Sequence, residues 1–354
     1  MALFSIPNFR IAGISACVPQ NEERNADYSW ITQKEREQLI KTVGVESKRV
    51  VSKGTTTSDL CYKAALGLLN ELKWEREEIH LLMFISQTRD FMIPATSGIL
   101  QDRLGLPKST ISIDINQGCS GFVYGLSVMG SLMNTTGIQK GLMLVGDISS
   151  LNASYRDKST HPLFGDAGTA TALELSPEAP LLYFNLQGDG SGHEAIIIPD
   201  GGFRNLLSKE SFNYKKYGDG IHRNQLHIAL DGIEVFNFSL REVVPNIKGL
   251  LKYTGKELSD IDFVVLHQAN RLINETLRKM LKLEPFKTPY SIQKYGNTSS
   301  ASVPLTMVSE LGEQLRDKTL QLLLSAFGIG LSWGSVILQT GGIICPPVIE
   351  YEKP

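Results

Sequence analysis

Four cysteines, six histidines and almost no net charge remove several function classes at once. Cys17, Cys61, Cys119 and Cys345 stand far apart with no C-x-x-C pair, so neither zinc-ribbon nor dithiol redox spacing is present. The histidines form no H-x-x-x-H pattern and no cluster with carboxylates, so no metal is expected. Scattered thiols in a chain of 354 residues read as small buried hydrophobes of a reducing compartment. Lys+Arg 35 against Asp+Glu 37 leaves a net charge of −2, without the basic excess that phosphate backbones attract. A nucleic-acid partner is therefore not expected, although a local basic patch for an acidic partner is still open. No apolar run approaches the ~20 residues that span a bilayer. The opening stretch MALFSIPNFRIAGISACVP is interrupted by Pro7, Asn8 and Arg10 and has no basic leader. It does not read as a signal peptide, and the expected location is cytoplasmic.

What the chain does have is short, nearly continuous apolar runs with β character. They are Arg10–Ala16, Leu81–Ser86, Ile111–Ile115, Gly141–Val145, Gly168–Leu173, Phe263–Leu266, Leu320–Ser325 and Ser332–Leu338. Continuity rather than alternation marks strands buried on both faces. Between them lie amphipathic stretches. Thr57–Leu72 carries Leu60, Ala64, Leu68 and Leu72 at four-residue spacing, with Thr57 and Ser58 as N-cap candidates. Gly121–Met133, Val235–Lys252, Arg271–Leu281 and Val303–Leu315 are further helix candidates. Strands alternating with helices predict an α/β fold with largely parallel sheets.

Strand starts recur at nearly equal steps, near Leu81, Ile111 and Gly141 and again near Asp262, Pro289 and Leu320. The chain reads as a duplicated βαβ-type unit, 1–176 and 177–354, divided where SPEAP breaks the pattern. The stretch Gly188–Tyr217 lacks periodicity and reads as a long surface loop.

Polar residues fall just after buried strands, where α/β folds gather ligands. NQGCSGF follows Ile111–Ile115, HQAN follows Phe263–Leu266, and YGNTSSASVP follows an expected strand at Pro289–Ile292. Cys119 lies between Gly118 and Gly121, which permit a sharp strand-to-helix turn, and a helix N-terminus favours thiolate. The plain alternative is a small buried thiol in a tight turn. His267 can exchange a proton or stabilise an oxyanion, or simply cap a strand. Asn297 does no acid–base work, but its amide can donate to an enolate, and Gly-Asn-Thr is also ordinary turn chemistry. GDGSG at 188–192 lacks the Lys-Ser/Thr of a phosphate loop. FGIGLSWG has its third glycine one residue too late for a dinucleotide fingerprint. It is either a tight turn between strands or a backbone lining for a site.

Together NQGCSGFVYGL, LFGDAGTATAL, DGIEVFNFSL, DIDFVVLHQAN, YGNTSSASVP and AFGIGLSWGS resemble, in order, the β-ketoacyl-acyl carrier protein synthase III family of thiolase-superfamily condensing enzymes. The resemblance implies a thiolase-like five-layered αβαβα fold from two similar halves, usually a homodimer. It implies Cys119 as acyl-accepting nucleophile, His267 and Asn297 as its catalytic partners, and backbone N–H groups of Cys119 and Ile329 as the oxyanion hole. The implied reaction condenses an acyl thioester with malonyl-acyl carrier protein, losing CO2 and giving a 3-oxoacyl thioester. No metal or redox cofactor is implied, only coenzyme A or carrier-protein thioesters as substrates. Ile93 matches an acyl-pocket position that reaches across the dimer, or ordinary interface packing. Lys158, Asn270 and Arg271 match substrate-binding positions.

Some family residues are missing. Gly328-Ile329-Gly330 replaces three consecutive glycines, Gln38 and Thr42 replace an adenine-sandwiching Trp and Arg, and Asn237 and Leu272 replace basic residues. These departures keep a second reading open, a specialised relative acting in secondary metabolism or as a non-decarboxylating acyltransferase; a third, from another class, is a non-catalytic thiolase-fold binding subunit.

Overall fold

The apolar runs assemble into two mixed sheets with two helices sandwiched between them. The structure is a computed structural model and describes residues 2–353. Its first half contains β1 (Ala2–Ile6), β2 (Phe9–Pro19), α1 (Gln33–Val43), α2 (Thr57–Leu72), β3 (Leu81–Ile85), α3 (Thr96–Arg103), β4 (Ile111–Ile115), α4 (Gly121–Thr136), β5 (Lys140–Ile148) and β6 (Asp166–Leu175). The second half contains β7 (Leu182–Gly188), α5 (Gly232–Thr254), β8 (Phe263–Leu266), α6 (Arg271–Met280), α7 (Ile292–Tyr295), α8 (Ser302–Asp317), β9 (Thr319–Gly328), β10 (Ser332–Gly341) and β11 (Ile349–Tyr351).

One sheet has the order β11-β2-β6-β5-β3-β4, the other β1-β7-β10-β9-β8. The chain ends are exchanged across the expected boundary: β1 joins the sheet of the second half and β11 that of the first. Helices α4 and α8 each pack on strands of both sheets and form the central layer. Their apolar faces share one core with inward residues of both sheets, among them Phe122, Leu126, Val303, Met307, Ile14 and Leu324. Helices α2 and α3 cover the outer face of the first sheet, and α5 and α6 that of the second. This is the five-layered αβαβα thiolase arrangement.

The sheets are less parallel than the pattern predicted. β3 runs parallel to β4 and β5, and β8 to β9. β9 and β10 pair antiparallel because only Ile329, Gly330 and Leu331 join them, too few for a crossover. The strand expected at Pro289–Ile292 does not form. Pro289 has no N–H to donate to a ladder, and the Ser291 N–H goes to the Gln268 side chain instead. The short helix α7 starts there. The cap of α2 is Thr56, not Thr57 or Ser58: its hydroxyl and Asp59 form a reciprocal capping box. Within the expected 188–217 loop, short strands form at Ile196–Ile197 and Lys215–Gly218.

Candidate active site

Cys119 sits between β4 and α4, two residues ahead of the first helical residue, and is 4% exposed. Two contacts explain the glycines around it. A Cβ on Gly118 would come 2.5 Å from Gln87 Oε1, and one on Gly121 2.9 Å from Ile85 Cγ2. A third glycine faces the sulfur itself: a Cβ on Gly328, at the end of β9, would stand 2.7 Å from both Cβ and Sγ of Cys119. Gln117 Nε2 donates to Ser120 Oγ and Ser332 Oγ, both at 2.8 Å, clamping the cysteine turn to the β9–β10 turn. In that turn the N–H of Ile329, like that of Cys119 itself, favours the thiolate of Cys119.

His267 follows β8 and is 1% exposed. Its Nδ1 lies 2.6 Å from Ser302 Oγ, at the first turn of α8. The Gln268 N–H approaches the same oxygen at 3.4 Å, so the hydroxyl hydrogen is free to be donated to Nδ1. A hydroxyl donating there leaves the imidazole hydrogen on Nε2. The Phe327 ring stands edge-on to the imidazole, 5.5 Å between centroids. Burial pushes the imidazole from its ordinary 6.5 down to about 3, so it is neutral at physiological pH.

Asn297 is held on both sides of its backbone. Its N–H donates to Leu163 O at 2.8 Å, and its carbonyl accepts from the Gly165 N–H at 3.1 Å. Its side-chain Oδ1 accepts the Ser299 N–H at 2.9 Å, and Nδ2 donates to Ala269 O at 3.3 Å. With the acceptor so engaged, what the amide offers a ligand is its remaining N–H. Ser299 has φ +50°, and its hydroxyl favours the thiolate of Cys119.

Cys119, His267, Asn297, Asn270, Phe327 and Ile329 line one enclosed cavity of about 50 Å³. Burial pushes the Cys119 thiol up to about 11, and the nearby Asp147 carboxylate adds to that. The N–H of Ile329 and the Ser299 hydroxyl pull the other way but do not prevail. The resting state is therefore thiol beside neutral imidazole, where the helix terminus alone predicted a thiolate. Desolvation outweighs the partial charge of the helix end. Asp147 is fully enclosed and accepts from Ser300 Oγ at 2.6 Å, Gln87 N at 2.8 Å and Ser86 Oγ at 3.1 Å. It ties the Asn297 turn to the floor beneath Cys119.

The chain as a whole has close parallels among known proteins. The profile described as 3-oxoacyl-[acyl-carrier-protein] synthase III matches residues 113–190, and its C-terminal counterpart matches 251–340. A β-ketoacyl-[acyl-carrier-protein] synthase III of Syntrophomonas wolfei is 31% identical, over 94% of this chain and 97% of its own. One from Halalkalibacterium halodurans is 32% identical over 94% and 98%. The chain belongs to the β-ketoacyl-[acyl-carrier-protein] synthase III family. The crystal structure of a 3-oxoacyl-(acyl-carrier protein) synthase from Burkholderia xenovorans superposes with a TM-score of 0.93 at 35% identity, covering 99% of both chains. As a synthase III family member, the protein is a condensing enzyme of the acyltransferase type.

The remaining residues singled out in the sequence are dispersed. Asn270 lines the cavity, but its side chain caps α6 by accepting the Ile273 N–H at 2.8 Å. Arg271 packs its stem on Gly44 at the end of α1. Lys158 is engaged by Glu35 at 3.0 Å and Asp219 at 3.3 Å, and Gln38 donates to Thr42 at 3.1 Å. Ile93 is 85% exposed and does not line the cavity. Ser299, Ser302 and Asp147 escaped the sequence reading, although the two serines lie inside YGNTSSASVP. Among the described residues no group of three or more His, Cys, Asp or Glu side chains converges, and no helix is long and apolar enough to cross a membrane.

Proposed function

We propose that the chain catalyses decarboxylating Claisen condensation through an acyl-Cys119 intermediate, with malonyl-acyl carrier protein as the second substrate. The observation that carries this is the single cavity shared by Cys119, His267 and Asn297, with Ile329 in the same wall. The Cys119 thiol attacks the carbonyl of a coenzyme A or carrier-protein thioester, and the N–H groups of Cys119 and Ile329 hold the oxyanion. The C–S bond to the donor breaks, and the thiol proton leaves with the departing thiol. A malonyl thioester then loses CO2 to give an enolate, whose oxygen accepts from His267 Nε2–H and the Asn297 amide. A neutral imidazole can fill that role, because a ring whose Nδ1 accepts from Ser302 still has an Nε2–H to donate. The enolate carbon attacks the acyl-Cys119 carbonyl, Cys119 leaves as thiolate and regains a proton from solvent. The chemistry draws on no metal or redox cofactor.

The working unit in this reading is a cytoplasmic homodimer. β4 is an unpaired sheet edge, and the neighbouring Phe91, Met92 and Ile93 are 58, 53 and 85% exposed. Ile93 from a second copy would reach the acyl side of the site.

The test is coupled acylation and CO2 release. With an acyl donor and malonyl-acyl carrier protein, wild type should release CO2 and form a 3-oxoacyl product. His267→Ala should still acylate but condense about 10²–10³-fold more slowly, the usual loss for one oxyanion donor. Acylation of wild type without CO2 release, whatever the donor, would instead favour simple acyl transfer.

A further inference from the structure

Strand β3 stops at Ile85 while its neighbour β5 runs on to Ile148, so the ladder between them ends before β5 does. The Asp147 carboxylate supplies the acceptors that the ladder no longer gives. It is 1% exposed, and one oxygen accepts from Gln87 N at 2.8 Å, Ser86 Oγ at 3.1 Å and Thr88 Oγ1 at 3.3 Å. The other oxygen accepts from Ser300 Oγ at 2.6 Å and Ser300 N at 3.2 Å.

Both sets of partners flank the nucleophile. Gln87 lies against Gly118 and Ser300 against Gly121: Cβ atoms on those glycines would come 2.5 Å from Gln87 Oε1 and 3.4 Å from Ser300 Cβ. Ser300 also bears on Asn297 through the adjoining residue, because the Asn297 side-chain oxygen accepts the Ser299 N–H at 2.9 Å.

Filling space does not require an acid here. Burial pushes the Asp147 carboxyl above its ordinary range, a cost that an amide of the same shape would not carry. An amide, however, cannot serve these partners. The Gln87 and Ser300 N–H groups can only donate, and they address different oxygens. Asn has one acceptor oxygen and would turn its NH2 toward one of them. The longer bond, to Ser300 N, is the one that gives way.

We propose that Asp147 is a positioning residue, holding the Asn297 amide in register with Cys119 for the condensation step. The proposal rests on the acyl-Cys119 reading. Asp147 does not line the reaction cavity and acts only through Ser299 and Ser300.

The test separates the two half-reactions in the full-length protein. Acetyl thioesters of coenzyme A and of acyl carrier protein load Cys119, read by intact mass; malonyl-acyl carrier protein then discharges it, read by CO2 release. Asp147→Asn should load within about threefold of the wild-type rate. Its kcat for condensation should fall about 10²-fold, the loss a 1 Å misplacement causes, with KM for malonyl-acyl carrier protein within about twofold. Ser300→Ala cuts only the 2.6 Å bond and should lower that kcat about tenfold. The double variant should be no slower than Asp147→Asn alone, since both changes cut one link. A merely structural role would slow loading as much as condensation or leave both intact, and either result overturns the proposal, as does additivity. Should Asp147→Asn fail to fold, Ser300→Ala decides: an unchanged kcat overturns the proposal while leaving the acyl-enzyme intact. Wild type that takes an acetyl group from neither donor overturns the acyl-Cys119 reading and the proposal with it.

Discussion

Adding one methyl group at Gly328 should disable the nucleophile from the far side of the site. The alanine Cβ would lie 2.7 Å from both Cβ and Sγ of Cys119, where carbon–carbon contact needs about 3.5–4.0 Å. Something must therefore move by about 1 Å, and neither side yields easily. Gly328 is the last residue of β9, paired with Ser332, and Ser332 is clamped through Gln117 and Ser120 to the cysteine turn. At φ +156° the backbone also disfavours an L side chain. Overpacking of this kind costs about 1–3 kcal/mol of stability. A 1 Å displacement of the sulfur should slow acylation about 10²-fold. The assay pairs denaturant unfolding with the rate of Cys119 acylation by intact mass. Gly312→Ala is the control: on α8 its Cβ would meet Cys345 Sγ at an ordinary 3.6 Å, and it should be neutral or stabilising by up to about 1 kcal/mol. Wild-type stability and acylation rate in Gly328→Ala would refute the close approach of β9 to the sulfur.

Three further outcomes follow from the same geometry. Ser302→Ala removes the partner that orients His267 and should lower condensation about 10- to 100-fold while acylation stays within about twofold; equal loss in both steps would contradict a role confined to the imidazole. Because burial holds His267 near 3, the unfolded chain binds its proton below pH 6.5 and the folded chain does not. Its stabilising contribution is thus complete above pH 6.5 and lost as pH falls toward 3, so wild type should lose stability relative to His267→Gln by up to about 1.4 kcal/mol per pH unit between pH 6.5 and 4.5. Parallel curves would show an imidazole that charges in place. Lys158→Ala breaks only part-exposed ion pairs to Glu35 and Asp219, so it should cost under about 1 kcal/mol and leave the KM for a coenzyme A thioester unchanged; a large rise in KM would restore the substrate-binding role that the resemblance implied for it.

Continuous apolar runs made the strands and the central helices legible, since burial on both faces leaves an unmistakable pattern. Helix α1 was not legible by apolar periodicity because it buries none of its residues; its signal was the Thr32–Glu35 capping box. β7 alternates polar and apolar residues in a short LYFNLQG segment and was passed over. At the site, flanking glycines brought out Cys119 and a strand-end position His267, whereas Asn297 was singled out behind a strand at 289–292 that does not form, its Gly-Asn-Thr turn being the feature that held. The supporting serines and Asp147 carry no such constraint, since a buried hydroxyl and a solvated one look alike in one dimension. The protonation of Cys119 was equally invisible, because it depends on how much water the folded chain excludes.

The most direct measurement is peptide-mapped mass spectrometry after brief exposure to an acyl thioester. The account predicts one acyl group per chain, located on Cys119, absent from Cys119→Ala, and discharged as a 3-oxoacyl product when malonyl-acyl carrier protein is added. An unacylated Cys119, or acylation that persists in Cys119→Ala, would contradict it.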